Sequence, residues 1–250
     1  MMISFVIPAY NEQAYLGACI ESILEQTREF PAQFEIIVVN NASTDLTSKV
    51  ALGFPGVRVV DEPRKGLTHA RQAGFLVSSG ELIANVDADS RLTPGWLRTV
   101  LATFAARPRL ASLSGPFFYY DLNRSQQRLV HLFYMTAWLT YAINRYLLRV
   151  GSMVQGGNFV VRREALEKIG GFNLDISFYG EDTDIARRMS SVGEVLFTFD
   201  LKMYSSARRL KHEGVFMTAL RYSVNYFWTT FFKRPFSKEH IDIRETSIEA

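Results

Sequence analysis

The sequence predicts an α/β fold in which one mostly parallel β-sheet is covered by helices on both faces. Short apolar segments with the length of buried strands alternate with helical segments over the first 110 residues. Three of the apolar segments end in polar clusters, as strands do at the ligand-binding edge of such a sheet. The length of 250 residues and a hydrophobic content of 48% allow one large domain with an ample core.

The first half contains four predicted strands, and most of them are followed by a helical segment. The strands span residues 3–8, 34–39, 57–60 and 81–86. Pro8 fits the end of the first strand, because a proline has no N–H to donate to a ladder. Strands joined by helices predict parallel pairing, since a parallel connection needs a crossover of helical length.

The second half is richer in aromatic residues and begins with a predicted strand at 110–118. The remaining predicted elements are a helix at 125–150, a loop at 151–157, a strand at 159–162, a turn at 170–172, a helix at 181–192, a strand at 194–199 and a helix at 215–232. We expect 1–212 to form the domain, with halves at 1–110 and 111–212, and 213–250 to form an aromatic and basic extension.

Composition excludes several classes of protein. The net charge of +3 gives no general signature for nucleic-acid binding, and the single cysteine excludes an intrachain disulfide. The first residues have no basic region or cleavage site, and no stretch of roughly 18 apolar residues is free of charge. We therefore expect a cytoplasmic protein.

The most informative stretch is the strand 81–86, which runs directly into Asp87 and Asp89. Residues two apart in an extended segment point the same way, so both carboxylates can face one ligand. Like charges held this close need a compensating cation, and a divalent metal that carries phosphates would supply it. The alternative is a pair of capping acids before a helix in which Thr93 is the N-cap and Pro94 the first residue.

No Gly-x-Gly-x-x-Gly sequence follows the first strand, and no Walker-type loop is present in the sequence. These absences argue against dinucleotide oxidoreductases and P-loop enzymes.

The polar clusters, taken in order, resemble the motifs of family-2 glycosyltransferases of the GT-A fold. The matching segments are 6–12, 40–45, 65–71, 86–89, 170–172 and 181–188. The resemblance covers about residues 2–212. It implies a single GT-A-type domain with a Rossmann-like sheet, a nucleotide-sugar donor, a divalent metal (Mn²⁺ or Mg²⁺) and an inverting transfer.

The resemblance also implies roles for individual residues. Asp182 would be the general base with Glu181 beside it, Asp89 would bind the metal, and Asp87 would face the ribose or the metal. The residues expected around the nucleotide sugar are Pro8, Ala9, Tyr10, Glu12, Asn40, Asn41, Arg71, Gly156, Gly157 and Asn158. Because relatives commonly carry acids where this chain has Asn40 and Asn41, the nucleobase stays open.

Three further residues follow the last predicted strand. Arg208 and Arg209 suit a diphosphate or an acceptor phosphate, since a guanidinium matches phosphate geometry; the alternative is a solvated basic turn. His212 is a candidate metal ligand, although an exposed histidine is the simpler interpretation. Asp182 has an alternative too, as an acid favoured at a helix N-terminus.

The segments 129–143 and 216–236 combine aromatic residues with flanking basic ones. This composition is typical of helices that lie on a membrane surface. Core packing and a homodimer interface are the alternatives. Membrane association at the inner face would suit a lipid-linked acceptor.

The sequence thus predicts a metal-dependent glycosyltransferase. A nucleotidyltransferase would usually carry a Gly-rich basic loop after the first strand, and this chain does not. A non-catalytic nucleotide-sugar-binding protein should have lost the base or the metal acids, and both are present.

Overall fold

The computed structural model describes residues 1–28, 33–148, 153–176 and 178–237. The strands are β1 (Ile3–Ala9), β2 (Phe34–Asn40), β3 (Val57–Asp61), β4 (Leu82–Val86), β5 (Ser90–Leu92), β6 (Leu110–Ser114), β7 (Phe117–Tyr119), β8 (Asn158–Arg162), β9 (Glu194–Phe197) and β10 (Met203–Ser205). The helices are α1 (Leu16–Arg28), α2 (Thr47–Leu52), α3 (Leu67–Val77), α4 (Trp96–Ala106), α5 (Arg124–Ala142), α6 (Arg163–Lys168), α7 (Glu181–Met189), α8 (Arg208–Glu213) and α9 (Val215–Phe232). A π-helical segment, Ile143–Leu148, continues α5.

Seven strands form one sheet in the order β3-β2-β1-β4-β8-β6-β9. Only β8 runs against its neighbours, so the prediction of a mostly parallel sheet is confirmed. β1, β2 and β4 are parallel neighbours, and their carboxyl ends therefore meet at one edge. The polar clusters after these strands come together there, as the sequence predicted.

Alternate residues of each strand enter two separate hydrophobic layers. In β1, Phe5 and Ile7 pack on one side with Leu16 and Ile20 of α1, whereas Val6 packs on the other side with helix α3. This alternation is the period of two that a strand imposes on its side chains. Both faces of the sheet are thus covered, which explains the nearly continuous apolar runs of the central strands.

The predicted strand 110–118 is wrong as one element, because the chain breaks it at Gly115 and Pro116. β6 belongs to the large sheet and β7 to a second sheet of order β5-β10-β7. Pro116 cannot donate to a ladder. At Gly115 a Cβ atom would overlap the Leu201 carbonyl, so the backbone passes too close there for any side chain.

Several predicted boundaries also differ from the structure. α4 begins at Trp96 after Gly95 in the left-handed region (φ 80), and not at Pro94. α7 ends at Met189 and β9 at Phe197, both earlier than predicted. The predicted helix residues 149–150, the loop residues 151–152 and the tail 238–250 lie outside the described residues.

The C-terminal helix α9 packs against α7, α8 and α5. This helix of the predicted extension therefore packs on helices of the predicted domain 1–212. In the part of the chain that the structure describes, no helix combines the length and apolar character needed to cross a membrane.

Candidate active site

A cavity of about 570 Å³ opens at the edge where β1, β2 and β4 end. Most of the predicted site residues line it, and they come from the beginning, middle and end of the chain. They are Pro8, Ala9, Tyr10, Asn41, Arg71, Asp87, Asp89, Gly156, Glu181, Asp182, Arg208 and Arg209. Glu12, Asn40, Gly157, Asn158 and His212 are described by the structure but do not line the cavity.

Arg71 on α3 joins the acids of the two halves of the chain. Its guanidinium pairs with Glu181 at the start of α7 and lies 3.3 Å from Oδ1 of Asp87 after β4. The Phe159 ring lies 5.2 Å from the guanidinium carbon, and Arg71 is only 1% exposed. A charge this deeply buried is tolerated only when it is paired. Arg71 therefore fixes the relative position of the two carboxylates.

Two glycines make room for these acids. A Cβ atom on Gly156 would lie 2.8 Å from Oε1 of Glu181. Gly157 has φ +79, and its Cβ would overlap the carboxyl group of Asp87. The Gly156–Gly157 segment is thus where the backbone approaches the acids most closely, and the lack of side chains is what allows it.

Asp182 lies in the first turn of α7, which follows Gly180 (φ 82). Its Oδ1 accepts a 2.7 Å hydrogen bond from the backbone N–H of Thr183. Burial raises the pKa of Asp182, while the bonds from Thr183 and the charge of Arg71 oppose the increase. A carboxylate with a raised pKa is a stronger base, and Asp182 lines the cavity.

The pKa of Glu181 is also raised, to about 7, chiefly by burial. The charge of Arg71 lowers it and the neighbouring Asp182 raises it, so burial and like charge together outweigh the ion pair.

Arg208, at the start of α8, holds two acids from the nucleotide-binding half. It pairs with Glu12, and its Nη2 lies 2.9 Å from Oδ2 of Asp89. Its guanidinium carbon also lies 4.7 Å from the Tyr15 ring. Burial of the charged guanidinium lowers the pKa of Arg208. The negative charges of Asp89 and Glu12 raise it by more, so the pKa lies above its ordinary value. The interpretation of Arg208 as part of a solvated basic turn is therefore wrong, and Glu12 contributes to the site through Arg208.

Arg209 contacts the loop before α7 from the same helix. It donates a 2.7 Å hydrogen bond to Glu213, and its guanidinium carbon lies 4.7 Å from the ring of Phe178. Glu213 also accepts a 2.6 Å hydrogen bond from Arg221 on α9. These contacts join α8, α9 and the loop before α7.

At the opposite end of the cavity, the ammonium of Lys65 lies 4.0 Å from the centre of the Tyr10 ring. Asn41 holds the loop that carries this lysine. Its amide donates to the carbonyls of Glu62 (2.9 Å) and Arg64 (2.8 Å), and its Oδ1 accepts from the N–H of Gly66 (2.8 Å). Asn41 thus lines the cavity, but its side-chain amide forms its hydrogen bonds with the loop.

The other predicted residues contact the protein itself. Asn40 donates to Asp61 at 2.8 Å, and His212 is an exposed residue of α8. Asn158 is fully buried; its amide donates to the carbonyls of Gly115 (2.9 Å) and Leu201 (2.8 Å), and its Oδ1 accepts from Trp96 (3.0 Å). The structure therefore gives Asn158 a packing role beneath the site.

The side-chain oxygens at this site can be compared with the ligands that a divalent metal prefers. Asp87 and Asp89 supply the oxygen ligands that hard cations prefer, but both are paired here with arginines. Across the described residues, no group of three or more His, Cys, Asp or Glu side chains is arranged to hold a metal. Mg²⁺-type sites often use one or two carboxylates plus phosphates of the ligand. Asp87 and Asp89 fit a divalent cation that is also held by phosphates of the ligand.

The sequence did not assign a role to the aromatic wall of the cavity. Tyr134 of α5 and Tyr222 of α9 both line it, as does Phe178 before α7. On α5 the signal was present, because Val130, Tyr134 and Tyr141 repeat at intervals that place them on one helix face. The nearly uniform apolar character of the helix hid that face.

The model of the family described as "Glycosyl transferase family 2" matches residues 4–170. A glucosyl-dolichyl phosphate glucuronosyltransferase from Haloferax volcanii is 22% identical over 256 residues, covering 97% of this chain and 78% of the relative. An uncharacterized protein from Mycobacterium tuberculosis is 40% identical over 106 residues, 41% of this chain and 32% of the relative. The matches span about a third or less of the first curated relatives.

Two solved structures share the fold. The mannosyltransferase PcManGT from Pyrobaculum calidifontis, in complex with GDP-Man and Mn²⁺, aligns with a TM-score of 0.68 and 21% identity, over 92% of this chain and 63% of that one. Glucosyl-3-phosphoglycerate synthase from Mycobacterium tuberculosis, in complex with Mn²⁺, UDP and phosphoglyceric acid, aligns with a TM-score of 0.62 and 20% identity, over 92% and 78%.

Proposed function

The chain belongs to glycosyl transferase family 2, and from this premise we propose that it transfers a sugar from a nucleoside-diphosphate sugar to an acceptor hydroxyl, with inversion at the anomeric carbon. One observation carries the proposal. Asp182, a carboxylate with a raised pKa, lines the same cavity as Asp87, Asp89 and the arginines of α8. A proton acceptor and a site for a diphosphate are the two parts that such a transfer needs.

In the proposed reaction, Asp182 accepts the proton of the acceptor hydroxyl. The acceptor oxygen bonds to the anomeric carbon as the bond from that carbon to the phosphate oxygen breaks, and the nucleoside diphosphate leaves with the electron pair. Arg208 and Arg209 stabilise the negative charge that develops on the leaving group. The backbone N–H groups of Thr183 and Gly156 hold the carboxylate of Asp182 in place for this proton transfer.

Asp89, with Asp87 beside it, would hold a divalent cation, Mn²⁺ or Mg²⁺, together with the diphosphate. Such a cation supplies neutralisation of the charge on the leaving phosphates. Mn²⁺ in complexes of two proteins of this fold supports the proposal. Because Arg208 contacts Asp89, binding of the cation requires Asp89 to exchange one positive partner for another.

For the nucleoside, we propose the end of the cavity formed by Pro8, Ala9, Tyr10 and Asn41, with Lys65 above Tyr10. The ring of Tyr10 offers a face on which a base can stack. Since the amide of Asn41 is used within the protein, backbone groups of this segment are the remaining means of selecting the base.

We propose that the acceptor is lipid-linked and that the protein works at the inner face of the cytoplasmic membrane. The outer faces of α5 and α9 expose large apolar side chains, namely Leu129, Leu132, Met135, Trp138, Leu139, Phe216, Met217, Leu220, Phe231 and Phe232. Exposed basic residues flank them, among them Arg128 and Arg234. Such a surface suits an anionic membrane. The dolichyl-phosphate substrate named for the Haloferax volcanii relative supports a lipid-linked acceptor.

Asp182→Asn tests the proposal, because it keeps the size of the side chain but removes the proton acceptor. A thermal-shift panel of nucleotide sugars with and without Mn²⁺ first identifies the donor. Turnover should then fall by about 10²–10⁴-fold while donor affinity stays the same, since the lost interaction exists only in the transition state. Asp175→Asn, at an exposed position, is the control. A fully active Asp182→Asn protein would remove Asp182 from the mechanism, and a parent that binds donors without turnover would be a binding protein.

A further inference from the structure

The cavity has two chemically different parts. All its charged lining residues belong to the part next to the strand ends: Lys65, Arg71, Asp87, Asp89, Glu181, Asp182, Arg208 and Arg209. The remainder, which we term the aromatic limb, lies between α5 and α9. Its helical walls are Val130, Phe133, Tyr134, Thr136, Ala137 and Thr140 of α5, and Val215, Thr218, Ala219, Tyr222, Ser223, Asn225, Tyr226 and Phe227 of α9. None of these residues carries a charge.

The polar groups of the limb are largely used within the protein. On α5, Thr136 and Thr140 donate to the carbonyls of Phe133 (2.8 Å) and Thr136 (3.0 Å). The hydroxyl of Tyr134 donates to Gln155 at 2.8 Å and accepts the N–H of Phe117 at 3.1 Å.

The same is true of α9. Thr218 donates to the carbonyl of Gly214 at 2.8 Å, and Tyr226 accepts a 2.9 Å hydrogen bond from Asn144. The amide of Asn225 donates to the carbonyl of Arg221 (2.9 Å) and accepts the N–H of Phe236 (3.0 Å). A ligand in the limb therefore meets mainly aromatic rings and methyl groups, together with the hydroxyls of Tyr222 and Ser223.

This chemistry disfavours one class of acceptor portion and favours another. A sugar with several hydroxyls that left water for the limb would meet few groups able to replace its hydrogen bonds, and burial of unpaired polar groups is costly. An aliphatic chain gives up no hydrogen bonds when it leaves water, and burial of its apolar surface is favourable. The limb also joins the reaction centre, because Asp182 and Tyr222 line one continuous cavity.

We propose that the aromatic limb binds the aliphatic chain of the acceptor, so that the chain runs between α5 and α9 while its polar head lies at Asp182. This inference rests on the proposed function and adds the location and class of the acceptor's tail. The outer faces of the same two helices carry the apolar residues proposed for the membrane, so a chain leaving the limb passes directly into lipid.

The test compares two probes with one headgroup, farnesyl phosphate and dimethylallyl phosphate, by calorimetric titration of the full chain below the micelle concentration. Burial of methylene groups should make the longer probe bind at least about 10-fold more tightly. Equal affinity of the two probes would overturn the proposal.

Tryptophan substitutions at two neighbouring residues show where the aliphatic chain of the ligand binds. Ala219→Trp fills the limb from α9, whereas Leu220→Trp places the same side chain on the outer face, where Leu220 is 48% exposed. Ala219→Trp should weaken farnesyl phosphate at least 10-fold and leave dimethylallyl phosphate and the binding of the donor nucleotide unchanged. Retained nucleotide binding shows that the variant is folded; Ala137→Trp on α5 replaces it if nucleotide binding is lost.

Equal weakening by Ala219→Trp and Leu220→Trp would place the chain on the outer surface and overturn the proposal. The result is separate from the proposed function. Loss of turnover in Asp182→Asn with no chain-length dependence would keep the glycosyltransferase and reject the limb. Tighter binding of the longer aliphatic probe by a protein that transfers no sugar would keep the limb and reject the glycosyltransferase.

Discussion

At the scale of single residues, Arg208 supplies the positive charge beside Asp89, with which a cation bound there would compete. Its guanidinium is within hydrogen-bond distance of both Asp89 and Glu12. Arg208→Gln removes this internal positive charge, and the two acids then need another cation. We therefore expect the nucleotide-free protein to bind Mn²⁺ about 10-fold or more tightly in the variant, because one like charge at contact distance has been removed.

Electron paramagnetic resonance of free Mn²⁺ measures this affinity without any catalytic readout. Arg209→Gln is the matched control, because Arg209 lies on the same helix but pairs with Glu213. Unchanged Mn²⁺ affinity in Arg208→Gln, or an equal increase in both variants, would show that Arg208 does not compete with the metal.

Glu181 makes the stability of the fold depend on pH. Burial raises its pKa to about 7, above the ordinary value of 4.5, so the folded state holds more protons than the unfolded one between these values. The free energy of unfolding should therefore fall as pH rises from about 4.5 to 7, by about 1–3 kcal/mol. Glu181→Gln should flatten this dependence, whereas Asp175→Asn should keep it. Melting temperatures across pH 4.5–7.5 give the comparison, and a parallel slope in Glu181→Gln would contradict the assignment.

At the scale of secondary-structure elements, α9 contacts the turn at Gly180, which leads into α7 and the proposed base Asp182. A Cβ atom on Gly180, which precedes α7, would overlap the hydroxyl of Thr229 on α9. Gly180→Ala should destabilise the protein by about 1–3 kcal/mol through strain and overpacking, and lower turnover with it. Gly170→Ala is the matched control, because Gly170 has a similar φ (+76) but no atom within 4 Å of its Cβ.

Thermal unfolding and kcat measure both effects. The double variant Gly180→Ala/Thr229→Ala should recover part of the loss, since the overlapping hydroxyl is gone. If Gly180→Ala behaves like Gly170→Ala, backbone strain alone explains the loss of stability, and α9 does not hold the turn before α7.

The sequence predicted those parts of the site that depend on local order along the chain. Alternating apolar segments placed Asp87 and Asp89 at the end of β4, and parallel pairing put them beside the ends of β1 and β2. It could not predict that Arg208 pairs with Asp89, because 119 residues separate them and no periodicity links them. It likewise missed the break in strand 110–118, because close approach of Leu201 to Gly115 is a tertiary contact.

At the scale of the whole molecule, the exposed apolar faces of α5 and α9 carry the proposed membrane contact. We expect binding to anionic vesicles to be salt-dependent and to weaken about 30-fold in Arg128→Gln/Arg234→Gln, at about 1 kcal/mol for each charge near the surface. Lys49→Gln/Lys168→Gln is the charge-matched control, since both lysines are exposed on α2 and α6. Vesicle co-sedimentation measures the binding. Equal losses in both variants would indicate unspecific attraction, and concentration-dependent dimerisation without vesicle binding would assign the faces to a homodimer.

The contact between Glu12 and Arg208 joins residues 196 positions apart in the chain. During synthesis, Glu12 leaves the ribosome long before Arg208 has been added, and at ordinary elongation rates the interval is about 10–40 s. Throughout that time the acidic edge of the nascent sheet lacks its guanidinium partner. A polypeptide released early therefore carries the strand-end acids without the arginine that neutralises them, and this edge of the sheet becomes complete only when translation reaches α8.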